Sequence, residues 1–228
     1  MSLTQHRTAA CPLCGCPDLT PLEHERGRRF GDCPTCRLVS ADPGELPDAE
    51  TERARYDTHL NDPADPGYRK FLEPAAEAVT ARCPVGAEGL DYGAGPGPAL
   101  AQMLAERGYP TALYDPFYHP DPAPLSRPWA FVTCTETAEH FHRPIDDFTR
   151  LAGLLASPDA PLVIMTQPLT SEIDFASWWY ARDLTHVAFY RPETFEWLGE
   201  HFAWQIEHPH PSVTVFRGCG ASAGGAGR

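Results

Sequence analysis

The residues of this chain that could do chemistry fall into three groups: acids beside a glycine run, paired cysteines, and a Glu-His pair. The first group is Asp91-Tyr92-Gly93-Ala94-Gly95-Pro96-Gly97, a D-x-G-x-G-x-G pattern. A carboxylate at Asp91 would repel a pyrophosphate and pair with an ammonium group. The sixth position of a dinucleotide fingerprint falls on Pro98 rather than glycine, and no lysine stands where a phosphate-gripping loop needs one. Asp115 follows a second apolar run, Thr111 to Tyr114, where an acid can bind both hydroxyls of a ribose.

The second group is Cys11-Pro12-Leu13-Cys14 answered by Cys33-Pro34-Thr35-Cys36. Two C-x-x-C knuckles at this separation read as a four-thiolate zinc site of ribbon type, with Cys11, Cys14, Cys33 and Cys36 as ligands. Four thiolates leave no open position, so the metal is expected to be structural. Cys16 is a spare thiol that could replace a ligand. Turns are expected at Gly15, Gly27 and Gly31, and Arg26, Arg28 and Arg29 read as a solvated charged turn.

The third group follows an apolar run from Trp129 to Thr135, in Glu136-Thr137-Ala138-Glu139-His140-Phe141-His142. His140, near neutrality in its ordinary pKa, could remove a proton from an acceptor, or merely bond to a backbone carbonyl and pack the loop. Glu139 is expected to orient a neighbour, and His142 to sit in a surface turn. The aromatic block from Phe175 to Tyr190 carries Arg182, Asp183 and His186 and could wall a planar or sugar-like acceptor. Residue by residue, a lid packed on the core, with His186 bonded to a carboxylate, is the plainer expectation; for the block as a whole, contact with the substrate is expected.

Elements must bring these groups together. Leu90 to Tyr92 end a strand, Gly97 and Pro98 suit a helix start, and Leu100, Met103 and Leu104 recur at helical spacing until Gly108. Leu162 to Thr166 reads as a buried strand, and Ile145 to Leu155 as the helix before it. Pro192 to Phe202 reads as a helix before two alternating strands, Trp204 to Ile206 and Ser212 to Phe216.

Strand, glycine turn, helix, strand and acid, in that order, resemble the class I S-adenosylmethionine-dependent methyltransferases. The resemblance implies a Rossmann-like α/β fold, a parallel sheet with an antiparallel C-terminal hairpin. It implies that Asp91, Tyr92, Gly93, Ala94, Gly95 and Gly97 seat the methionine part of S-adenosylmethionine. Asp115 would hold the ribose, Pro116 and Phe117 would flank the adenine, and Thr135 and Glu136 would complete the cofactor site. Glu-His after this strand resembles small-molecule methyltransferases, in which the loop faces the acceptor; Glu139, His140 and His186 are the catalytic candidates. The segment from Tyr56 through His59 and Asn61 to Tyr68 and Phe71 would either cap the cofactor or serve as a plain linker and helix. The family pattern is broken between Pro116 and Pro128, which is too short and proline-rich for a helix and a full third strand.

Composition sets outer bounds. The 228 residues are 42% hydrophobic and 21% charged, ordinary for a globular chain. A formal net charge of −13 argues against a nonspecific grip on nucleic acid. No apolar run is long enough for a membrane helix, and the first residues lack the core of a signal peptide, so a cytoplasmic location is expected. The expected organisation is a zinc-ribbon-like segment at 1–42, a linker and capping helices at 43–85, a methyltransferase domain at 86–217 and a flexible tail at 218–228. The expected acceptor is a small molecule. An RNA- or protein-modifying enzyme that uses the ribbon for recognition, and a non-catalytic cofactor-binding scaffold, are the alternatives.

Overall fold

The computed structural model describes residues 10–58 and 61–218, so the expectations about the first residues, His59 and the tail from 219 lie outside the described residues. An antiparallel N-terminal sheet contains β1 (Thr20–Glu23), β2 (Arg29–Asp32) and β3 (Val39–Ala41). Two helices follow, α1 (Ala49–Tyr56) and α2 (Pro66–Thr80). Then come β4 (Gly89–Tyr92), α3 (Ala99–Glu106), β5 (Thr111–Tyr114), β6 (Phe131–Thr135), α4 (Pro144–Gly153) and β7 (Leu162–Met165). The chain closes through β8 (Ala188–Phe189), α5 (Pro192–Phe202), β9 (Gln205–His210) and β10 (Val213–Arg217).

The main sheet has the order β5-β4-β6-β7-β10-β9. Its first four strands are parallel; β10 runs antiparallel to β7, and β9 runs antiparallel to β10. This is the Rossmann-like sheet with the antiparallel hairpin that the sequence pattern predicts. Both faces are covered, as parallel strands require. Along β6 and β7 the side chains alternate: Phe131, Val163 and Met165 pack with Leu72, Val79 and Met103 of α2 and α3. Val132, Leu162 and Ile164 pack with Phe148 and Leu151 of α4 and with Phe195 and Leu198 of α5. Strand order reverses beside β4, since β5 lies on one side of it and β6 on the other; a crevice opens at such a point.

Between β5 and β6 the described residues form no strand, only a short 3-10 turn at Ala123–Ser126, so β5 is a sheet edge. Helix starts differ slightly from the reading. Pro98, not Gly97, is the residue before α3. The second helix begins at Pro66, where the Asp65 carboxylate accepts from the Gly67 N–H, and it runs on through Pro74.

Two departures concern the N-terminal sheet. Gly31 lies inside β2 rather than at a turn; a Cβ there would stand 2.7 Å from Leu19, so glycine serves close packing. The sheet also has a fourth strand from far along the chain: β8 pairs with β3, Val39 opposite Phe189 and Ser40 opposite Ala188.

Candidate active site and a four-cysteine centre

A cavity of about 550 Å³ opens at the carboxyl ends of β4, β5 and β6. All the residues nominated from sequence as cofactor-binding or catalytic line it, drawn from three loops and from the segment ahead of β8. Asn61, Tyr68 and Phe71 also line it, as does Tyr56 of α1, so the segment before the glycine turn does face the cavity.

Asp91 is 3% exposed and accepts a hydrogen bond of 2.8 Å from the Thr133 hydroxyl. Burial pushes its pKa up to about 6, the Thr133 bond opposing and Asp115 adding to the rise. Among the described residues no cation pairs with it. The glycines beside it permit close approach. Gly93 has φ of +80°, and a Cβ there would strike Thr137; at Gly97 a Cβ would lie 1.8 Å from the carbonyl oxygen of Asn61. Asp115 is held by main-chain donors: Oδ2 accepts from Gly95 at 3.0 Å, and Oδ1 from Phe117 at 2.8 Å and Tyr118 at 3.0 Å.

The loop after β6 is strained. Glu136 takes φ of +49°, a left-handed backbone that costs a residue other than glycine roughly 1–3 kcal/mol. Burial and the neighbouring Glu139 hold the Glu136 carboxyl well above the usual carboxylate range, and its Oε1 is buried without a partner among the described residues. Glu139 is 1% exposed; its Oε1 accepts from the Tyr180 hydroxyl at 2.5 Å, and its Oε2 has no partner there either.

His140 and His186 meet edge to face, with ring centroids 4.9 Å apart. Each Nδ1 lies 2.8 Å from a main-chain carbonyl oxygen, Thr185 for His140 and Tyr180 for His186. A carbonyl only accepts, so each Nδ1 carries the hydrogen, and in the neutral ring Nε2 keeps a lone pair. His186 is therefore bonded to a carbonyl and not to the carboxylate expected for it. Burial lowers its pKa to about 4.

Sequence reasoning missed several lining residues. Glu52 lies one helical turn before Tyr56 on α1, a spacing that could have marked it. Glu52 accepts from His142 at 2.9 Å, so His142 faces the cavity instead of a surface turn. Asp147 and Arg150 of α4 reach the rim, joined through the Tyr92 hydroxyl.

The aromatic block is not an acceptor wall. Phe175, Trp178, Tyr180 and Phe189 are buried in one cluster with Phe30 and Val39 of the N-terminal sheet. His186 is its one residue on the cavity. Arg182 pairs with Glu25, and Asp183 with Arg55 of α1. The Arg28 guanidinium, 6% exposed, is also no solvated charge. Its two terminal nitrogens donate to the carbonyls of Ala181, Asp183, Leu184 and His186 at 2.7–3.2 Å, gripping the loop that carries His186.

Away from the cavity, one sulfur from each of Cys11, Cys14, Cys33 and Cys36 lies within 4.8 Å of the others. The Sγ pairs Cys11–Cys36 and Cys14–Cys33 are 3.5 and 3.4 Å apart. Tetrahedral thiolates at about 2.3 Å from a zinc ion stand about 3.8 Å from one another, so the donor set fits that metal. Each knuckle turns on a left-handed residue, Gly15 at φ +75° and Arg37 at φ +62°. Cys16 lies outside the cluster; its carbonyl accepts from the Cys11 N–H.

Three solved structures illustrate the likeness to known proteins. CalO1, a methyltransferase in calicheamicin biosynthesis bound to SAH, is 14% identical with a TM-score of 0.44. The match covers 74% of this chain and only 57% of CalO1. DesVI of Streptomyces venezuelae is 12% identical over 75% of this chain and 98% of its own, with a TM-score of 0.48. Magnesium protoporphyrin IX methyltransferase of Synechocystis is 15% identical over 66% and 83%, with a TM-score of 0.42. No curated protein matches significantly. The family described as a methyltransferase domain matches residues 64–208, a span holding the four parallel strands of the main sheet and nearly the whole cavity, and this chain belongs to that family.

Proposed function

We propose that this chain transfers a methyl group from S-adenosylmethionine to a nucleophilic O, N or C atom of a small molecule. The carrying observation is Asp91: a buried carboxylate with no cationic partner among the described residues, set beside the bare main chain of Gly93 to Gly97 and facing Asp115 within one cavity. A ligand bearing an ammonium group and a ribose would satisfy both acids. When bound, the cofactor supplies a methyl group on a positively charged sulfur. The protein's part is orientation and exclusion of water. Asp91, Tyr92 and the main chain of Gly93, Ala94, Gly95 and Gly97 would hold the amino-acid end. Asp115 would take the ribose hydroxyls, Pro116 and Phe117 the base, and Thr135 and Glu136 the near wall.

His140 and His186 present Nε2 lone pairs to the acceptor space, and Glu139 holds its carboxylate beside them. The lining is acidic, with Glu52, Asp91, Asp115, Glu136, Glu139 and Asp147 against Arg150, which suits a cationic cofactor and weighs against a polyanionic acceptor. The N-terminal ribbon, at 1–42 with zinc on its four cysteines, acts here as a buttress: Arg28 and β3 hold the loop of His186 in place.

Calorimetry with S-adenosylhomocysteine tests this reading. Micromolar binding is expected, weakened at least tenfold in Asp91→Ala. No heat with the wild-type chain, or an unchanged affinity in the variant, would refute it. Co-crystallisation with the same nucleoside and a metabolite extract would then identify the acceptor.

A further inference from the structure

Three side chains able to ligate a metal, Glu139, His140 and His186, meet at the cavity, and Glu139 Oε2 is buried without a partner among the described residues. With each Nδ1–H given to a main-chain carbonyl, the neutral imidazoles of His140 and His186 have only their Nε2 lone pairs left to offer, beside the carboxylate of Glu139. One ligand atom from each of the three residues lies within 4.8 Å of the other two. Acceptors gathered without a donor repel one another, and the carboxylate oxygen is fully buried, so the arrangement lacks a positive charge. Glu136 adds a second buried, unpartnered carboxyl oxygen to the same loop among the described residues.

The surroundings are those of a ligand cage. Tethering Nδ1–H to a carbonyl fixes each imidazole's tautomer and ring plane, as in metal-bound histidines. The Tyr180 hydroxyl fixes the second oxygen of Glu139, and the Val187 N–H donates to the Glu139 carbonyl, tying the two loops together. Arg28 fastens the His186 loop from behind.

We propose that Glu139, His140 and His186 bind one divalent transition-metal cation, of the class that takes imidazole and carboxylate together, such as Mn²⁺, Fe²⁺, Co²⁺ or Zn²⁺. Three protein ligands on one side leave coordination positions toward the cavity. Resting on the methyl-transfer reading, the acceptor is then a hydroxyl compound whose oxygen coordinates the cation. Coordination makes the O–H more acidic, and its proton leaves to solvent. The freed oxygen forms the bond to the methyl carbon as the carbon–sulfur bond breaks, leaving a neutral thioether. In this arrangement His140 and His186 are ligands and not the proton acceptors.

Mn²⁺ titration of the full-length chain, followed by loss of the free-ion electron paramagnetic resonance signal, tests the site, because thiolates hold this hard ion poorly. One Mn²⁺ per chain is expected. Glu139→Gln and His186→Gln should each weaken it more than tenfold, and Tyr180→Phe, which removes only the hydroxyl bonded to Glu139, about tenfold. Circular dichroism identifies any variant that fails to fold, and Tyr180→Phe then carries the comparison. Asp91→Ala should lose S-adenosylhomocysteine binding and keep Mn²⁺, so the two proposals fail separately. No Mn²⁺ bound at millimolar concentration by the folded wild-type chain, or equal affinity in folded Glu139→Gln and Tyr180→Phe, would overturn the site.

Discussion

The four-cysteine cluster and the Glu139–His140–His186 cluster are built from opposite materials. The first is all sulfur, its donors spaced within two short turns of the chain, and it lies outside the cavity. The second mixes nitrogen and oxygen, and its third member comes from a loop 46 residues after the second, by the numbers 140 and 186. A closed sulfur cage suits a metal that holds a fold together, whereas an open mixed set suits one that meets a ligand. The two are mechanically joined. The N-terminal sheet anchored by the cysteines supplies Arg28, and Arg28 grips the loop that presents His186.

The largest effect should come from breaking the closed cage. Cys33→Ser should remove metal-derived stability on the order of 10 kcal/mol, leaving the N-terminal sheet unfolded and the His186 loop without support. Thermal denaturation and limited proteolysis read this directly; an unchanged melting profile would mean that the two clusters are independent. Arg28→Lys cuts the connection while sparing both donor sets. A lysine cannot reproduce a planar fork on four carbonyls, so about 3 kcal/mol of stability should be lost, together with acceptor-side activity more than cofactor affinity.

Acid should act on the cofactor side. Asp91 attracts an ammonium only when ionised, so affinity for S-adenosylhomocysteine should fall as pH drops through about 6, approaching tenfold per unit. Asp91→Asn should flatten that profile. In the ligand-free protein the sign is reversed. The raised pKa means that the proton on folded Asp91 stabilises at low pH, and this contribution fades as pH rises from 3.8 toward about 6. The smallest effect belongs to Arg55→Ala. Burial would raise the Asp183 carboxyl, but Arg55 and the Thr185 donors hold it below the usual carboxylate range. With Arg55 43% exposed, the pair should contribute under about 1 kcal/mol, visible mainly as faster exchange of the α1 amides.

How much of this was legible in the sequence follows from distance along the chain. Asp91 with its glycines, Asp115 after the second strand, and Glu139 beside His140 are short-range signals, and the fold carries all of them to one cavity. The missing strand between β5 and β6 was legible too, because prolines leave nothing else for that interval to form. What stayed hidden depends on contacts between remote segments. Arg28 meets carbonyls more than 150 residues away, and nothing in an Arg-Gly-Arg-Arg turn distinguishes a buried clamp from a wet surface. Likewise, aromatic residues from Phe175 to Phe189 suit a binding wall or a core equally well. The presence of Phe30 and Val39 against them decides for the core.

The pairing of β3 with β8 has a practical consequence. Trimming the first forty residues to obtain a minimal catalytic fragment would bare the edge of β8, strip four carbonyls of their guanidinium and expose the ring cluster around Trp178. Such a fragment should aggregate, and any chimera that exchanges this amino-terminal piece must carry the segment from Phe175 to Phe189 along with it.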